Sequence, residues 1–182
     1  PSGARVHRTY DARNRVATLR FPGGQGDQDW LYTPDGLPSQ ITTWNGPAMT
    51  LPVINAYAYN ARRQLAGQGE SISQPGWYTW ALGYGYDRNG HLASHFYPGG
   101  LTVDYAPNAL GQATKAGTFA SNATYHPNGA LKQFTYGNGI VHTTTQNARG
   151  LPEQLLDQDP GTAARVLDEA LDYDPNGNVL GI

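Results

Sequence analysis

The chain has no cysteine, which excludes disulfides and thiolate metal sites and leaves the redox compartment unassigned. No run of apolar residues approaches the roughly 20 that cross a bilayer as a helix, so no membrane span is expected. No signal peptide stands at the start, and the chain opens on Pro1 rather than Met, as a processed or cut product would. Basic residues are scarce: 12 Lys and Arg are scattered and outnumbered by 14 Asp and Glu, which argues against a nucleic-acid partner. Leu, Ile, Val and Phe total 32 of 182 residues, fewer than an ordinary globular core needs. Nucleophile-elbow, phosphate-loop and zinc-protease signatures are missing too, so the sequence supports no enzyme and requires no cofactor.

What is present is turn chemistry and flat aromatic surface. Gly and Pro together total 36, and 12 Tyr with 4 Trp replace part of the absent aliphatic packing. Few aliphatics would suggest disorder, but disorder also needs high net charge and few aromatics, and the formal charge is only −2. The composition fits an all-β chain of many short strands joined by tight turns.

One pattern recurs: an aromatic or its substitute, Asp or Asn, two residues, Gly, one residue, an apolar residue. Its clearest copies are Tyr86-Asp87-Arg88-Asn89-Gly90-His91-Leu92 and Tyr173-Asp174-Pro175-Asn176-Gly177-Asn178-Val179. Tyr125 to Leu131 keeps the frame with His126 second and Gly129 fifth, and Tyr32 to Gly36 keeps the turn. Tyr10-Asp11 and Tyr59-Asn60 begin copies without the Gly, while Pro107 to Gly111 and Gln146 to Gly150 lack the Tyr. Asp or Asn at the first position of a type I turn, Pro at the second and Gly at the fourth are the residues that turn favours. Gly after such a turn also supplies the positive φ of a bulged hairpin. Asn14 can visit that region; Arg63 is the poorer fit.

A second turn signal lies inside each repeat, at Phe21-Pro22-Gly23-Gly24, Tyr97-Pro98-Gly99-Gly100 and Tyr136-Gly137-Asn138-Gly139. The longer repeats have theirs at Asn45-Gly46, Pro75-Gly76 and Pro160-Gly161. Every repeat then reads as strand, turn, strand, turn, which implies about fourteen strands. Ala163 to Leu171 contains good helix formers but stands where the other repeats feed their Tyr, so it is read as a strand. Leu92, Ser94 and Phe96 share one strand face and Ala93, His95 and Tyr97 the other. Neither face is cleanly apolar, which suits a single-layer wall better than a sandwich.

These residues resemble the RHS/YD-repeat family, which includes bacterial RHS proteins, the C subunits of insecticidal toxin complexes, and the teneurins. The resemblance runs from about Tyr10 to Val179 and rests on a motif that recurs in phase. It implies tandem hairpins forming one curved or spiralling antiparallel sheet, with residues 1–182 a single array of about seven to eight repeats. It further implies a fragment of a longer shell, secreted or on a bacterial cell surface. Its partners would be adjacent repeats and an encapsulated toxin or effector domain. The plug of many bacterial members, with its self-cleaving aspartates and DPxG-type motif, is not evident; Asp174-Pro175-Asn176-Gly177 is in phase with the repeats and is read as a turn. The array reads as cut at Ile182.

Candidate chemistry is thin. His91 and His95 are four apart, which on a strand puts them on one face roughly 13 Å apart, too far for one metal, so they are read as surface imidazoles. Asp27 and Asp29, Asp157 and Asp159, and Asp172 and Asp174 form D-x-D pairs without the further oxygens a calcium site needs, so turn or solvated roles are expected. A hydrolase hidden among the acids would depend on Asp157 or Asp159. Trp30, Trp44, Trp77 and Trp80 lie in strands, and Trp77 and Trp80 alternate to opposite faces. A sugar-stacking strip using Trp77 or Trp80 is the rival function, that of a secreted or cell-surface carbohydrate-binding module; cross-strand packing explains the same residues without a ligand. Open sheet edges predict edge-mediated self-association, and a monodisperse monomer in concentrated sedimentation runs would count against it.

Overall fold

The computed structural model describes residues 5–45, 50–74 and 76–182. Gly46 and Pro75, on which two of the expected inner turns fall, lie outside the described residues. The chain forms two compact units, one up to Gly85 together with Phe96–Leu101, the other Tyr86–His95 with Thr102–Ile182.

The first unit is a run of antiparallel hairpins: β1 (His7–Tyr10), β2 (Val16–Arg20), β3 (Asp27–Tyr32), β4 (Pro38–Asn45), β5 (Leu51–Tyr59), β6 (Leu65–Gln74) and β7 (Gly76–Tyr86, all but its last residue). Each strand pairs with the next in sequence. The second unit contains β8 (Leu92–Phe96, all but its last residue), β9 (Thr102–Asp104) and a five-stranded meander. That meander is β10 (Ala120–Tyr125), β11 (Leu131–Tyr136), β12 (Val141–Gln146), β13 (Pro152–Gln158) and β14 (Arg165–Ala170). A last ribbon pairs β15 (Asp172–Tyr173) with β16 (Val179–Gly181). The chain is all-β, with a single 3-10 turn at Pro98–Gly100 and no α-helix among the described residues.

Two expectations meet a closer test. The segment rich in helix formers is strand β14, because the full-length partner β13 outweighs a weak local propensity. The strand-turn-strand-turn pattern fails between Tyr105 and Phe119, where only two isolated bridges form, Pro107 with Ala113 and Ala116 with Ala120. The 18 residues from Pro107 to Tyr125 are the shortest spacing in the chain, and Pro107 has no N–H to give a ladder. Lys115 and Thr114 both donate to the Tyr105 carbonyl, and Gly117 turns the chain at φ 55°.

The fold is stabilised without a conventional core. Val103 is the one buried apolar residue among the described residues, and the buried polar ones are Asp27, Thr42 and Thr144. The chain exposes 11543 Å², against about 8,600 Å² for a globular protein of this mass. Strands such as β2 are half-buried at every residue rather than alternating, as expected of single-layer sheet whose two faces are alike. Stability therefore leans on ladders and turns. Gly139 has φ 91° and open space where a Cβ would go. Gly139→Ala is expected to lower stability in thermal unfolding by about 1–2 kcal/mol through backbone conformation alone. Gly181→Ala, with equal room and no positive φ, should leave the transition unmoved.

Candidate functional site

The recurring constellation is the repeat turn, and all eight copies close identically. The N–H after each anchor donates to the carbonyl four residues on, as in Asp11 to Arg15 (2.8 Å), Thr33 to Leu37, Asn60 to Gln64 and Asp87 to His91. The same bond joins Asn108 to Gln112, His126 to Ala130, Asn147 to Leu151 and Asp174 to Asn178. A reverse bond runs from the fifth residue back to the second, for example Gly90 N to Asp87 O at 3.1 Å. That fifth residue is left-handed in every copy: Asn14, Gly36, Arg63, Gly90, Gly111, Gly129, Gly150 and Gly177 have φ between 58° and 97°. Arg63, the poor fit, adopts the conformation nonetheless. The result is a type I turn with a bulge, and the register shifts at Tyr10, Tyr32, Tyr59, Tyr125, Gln146 and Tyr173, each facing the residue six positions later.

The side chain after the anchor locks the turn. Asp11 Oδ1 accepts from Arg13 N and Arg15 N at 2.9 and 3.0 Å, and Asn60, Asp87, Asn108 and Asn147 repeat that pair of bonds. The sixth position, which sequence reasoning passed over, completes it by chemical complement. Where the turn has Asp, the sixth residue is a donor: Arg15, His91 or Asn178. Where it has Asn, in Asn60 and Asn108, the sixth residue is Gln64 or Gln112, accepting the amide at 3.0 and 2.8 Å. Polar residues five after five of the eight anchors, at Arg15, Gln64, His91, Gln112 and Asn178, were the available signal.

Neighbouring turns are also tied together. Arg13 donates to Pro34 O (2.6 Å), Arg63 to Asp35 O (3.1 Å), and Arg149 to both Asp174 O and Pro175 O. Tyr32 and Tyr125 reach back to Val16 O and Ala113 O, the sixth residue after the preceding anchor in each case, at 2.7 and 2.6 Å. The bare turn glycines are resting places: a Cβ on Gly111 would stand 2.8 Å from the His91 ring, and one on Gly150 3.2 Å from Asn128. Arg15 lies 4.0 Å over the Tyr32 ring, adding a cation–π contact to its bond with Asp11.

The structural comparisons bear on this arrangement. The chain superimposes on the pore structure of the Photorhabdus luminescens Tc holotoxin with a mutated TccC3 at TM-score 0.64 and 13% identity. It matches the TcdB2–TccC3 crystal structure at 0.62 and 13%, and the TcdB2–TccC3–Cdc42 structure at 0.64 and 12%. In each case 96% of this chain is covered. The chain has the RHS/YD-repeat fold. It spans only 11% of the length of the chains it matches. No protein-family model and no curated protein matches it.

Within the YD-repeat fold the other candidates take definite places. His91 and His95 are half-buried rather than surface imidazoles, because His91 is drawn in by Asp87 and covers Gly111. Asp27 is not solvated: it is buried, accepts from Phe21 N at 2.7 Å and faces the Arg20 guanidinium at 3.7 Å. Asp29 bonds Arg20 and accepts from Trp44 Nε1. Asp159 caps its turn through Gly161 N. Among the described residues no cluster of three or more acids or histidines could hold a metal ion, and no helix is long and apolar enough to cross a membrane, which says nothing of a β-barrel.

Asp157 holds a more specific position that its D-x-D spacing did not reveal. It stands directly across from His142 on the neighbouring strand, and His142 Nδ1 meets Asp157 Oδ1 at 2.6 Å. The imidazole's other nitrogen lies 3.0 Å from Thr144 Oγ1, the Tyr136 hydroxyl donates to Asp157 Oδ2, and Phe134 tilts against the ring at 4.9 Å. Burial, with Asp157 nearby, holds the Tyr136 hydroxyl above the usual phenol range. His126 donates Nε2–H to Thr144 O, tying the next turn to this cluster. His142 and Asp157 are each only 14% exposed. Removing one partner strands the other, so His142→Ala is expected to cost about 2–3 kcal/mol in chemical unfolding.

The turn carboxylates give a pH dependence. Arg15 holds Asp11 at about 2, first by its side-chain hydrogen bonds, against an ordinary 3.8. Thr33 lowers Asp35, and Asn178 lowers Asp174. At Asp87 burial pushes upward but the His91 and Asn89 bonds prevail, so it too is lowered. Groups that ionise more readily folded than unfolded stabilise above their unfolded value and lose that contribution as pH falls through the folded one. Stability should thus be level above about pH 4 for these groups and fall between 4 and 2, as read by denaturant midpoints across that range. Asp11→Asn is expected to flatten the lower end of the fall.

Proposed function

We propose that the chain is a wall segment: a non-enzymatic scaffold, one array of YD repeats within a longer shell that encapsulates or displays a toxin or effector domain encoded outside it. The observation that carries this reading is the eightfold repetition of one turn closure with side-chain ties from turn to turn. Such a device adds hairpin to hairpin, and much of its polar chemistry is spent on closing each turn and tying it to a neighbour. The likeness to toxin-complex structures supports the same reading. By the same reasoning the protein acts outside the producing bacterium, secreted or at its surface, and its partners are adjoining repeats and the cargo. Open strand edges add self-association when the segment stands alone.

The test uses the full-length protein that contains this chain. Its cargo domain should resist a broad protease while the shell is intact and be cut when the shell is opened by mild denaturant. Cargo cleaved at the rate of the isolated domain in the intact protein would refute the wall reading.

A further inference from the structure

The strands β5, β6 and β7 carry a face whose residues come together only through register. Asn55, Glu70 and Trp80 form one cross-strand row; Val53, Ile72 and Tyr78 form the next; Tyr57, Gln68 and Leu82 flank it on the other side. Directly paired residues share a face, and the Trp80 indole confirms it by donating to Glu70 Oε1 at 3.3 Å. Tyr78 is 64% exposed and Trp80 37%. Two residues apart on one strand, they lie about 6.7 Å from each other along it. Glu70 is the sole charged residue between Gln64 and Tyr86. The face therefore repels anions and attracts cations.

We propose that this face binds an oligosaccharide of amino-hexose units with free amines. The negative π-faces of Tyr78 and Trp80 take the C–H face of the sugar rings and favour a cation beside them. Glu70 receives the ammonium group, its carboxylate having lone pairs beyond the one that Trp80 meets. The carboxamides of Asn55 and Gln68, each donor and acceptor, match ring hydroxyls. A lysine-rich peptide would satisfy the rings and Glu70 but brings no ring of hydroxyls for the two carboxamides. Trp77, which alternates to the opposite face with Thr79, takes no part. The inference is independent of the wall reading, since either holds if the other fails.

The experiment titrates the chain with a glucosamine hexamer, its N-acetylated counterpart and a lysine hexapeptide, following tryptophan fluorescence and calorimetry. Saturable binding of the glucosamine hexamer is expected, weakened about tenfold by Trp80→Ala and largely kept by Trp80→Phe. Trp77→Ala should leave it unchanged. Glu70→Gln should weaken the amine form severalfold and leave the acetylated form as it was. No saturable binding of the glucosamine hexamer, equal losses from Trp77→Ala and Trp80→Ala, or tighter binding of the lysine peptide would overturn the proposal. Unchanged thermal unfolding of each variant separates lost binding from lost fold.

Discussion

Everything in this molecule follows from one closure, in which the N–H after an anchor meets the carbonyl four residues on while the fifth residue turns left-handed. The two backbone bonds are ordinary, each of modest net value. Their effect comes from geometry: the bulge makes seven residues reverse the strand with a fixed offset, so the anchor always faces the residue six places later. A sheet whose every second turn is set in this way has its register decided locally, before distant strands meet. That matters in a chain with one buried apolar residue among those described, because no core is available to choose between registers.

The same closure explains which positions tolerate change. Glycine suits the fifth place by conformation and fills it in six of the eight copies, and at Gly111 and Gly150 it also leaves room under the preceding repeat's side chain. Asn14 and Arg63 occupy the place without glycine and remain left-handed, so the closure tolerates backbone strain at two of its eight copies. The second and sixth positions match in five copies, Asp with a donor and Asn60 and Asn108 with Gln, while Asn147 is followed by Leu151. The anchor itself is replaceable, since Pro107 and Gln146 stand in for Tyr and the turn bonds persist. Tyrosine contributes a hydroxyl tie to the previous repeat where present, at Tyr32 and Tyr125, rather than the turn.

Between the turns, chemistry is set by register. His142, Thr144 and Asp157 meet because two strands pair across a 14-residue gap, and Asn55, Glu70 and Trp80 because three do. Such clusters are how a uniform scaffold acquires local character: the repeat supplies the frame, and residues that do not repeat supply the difference.

The sequence by itself determined the all-β class and the places of the eight outer turns. Those depend on residues within six positions of each other, where turn preferences act directly. It did not disclose that Asp157 faces His142, that His91 covers Gly111, or that Asp27 is buried beside Arg20. Nor did it show that the short repeat after Pro107 would form only isolated bridges before β10. The tertiary structure decided these, because a side chain's neighbour across a sheet depends on the register of two strands, and register is the accumulated offset of every turn between them.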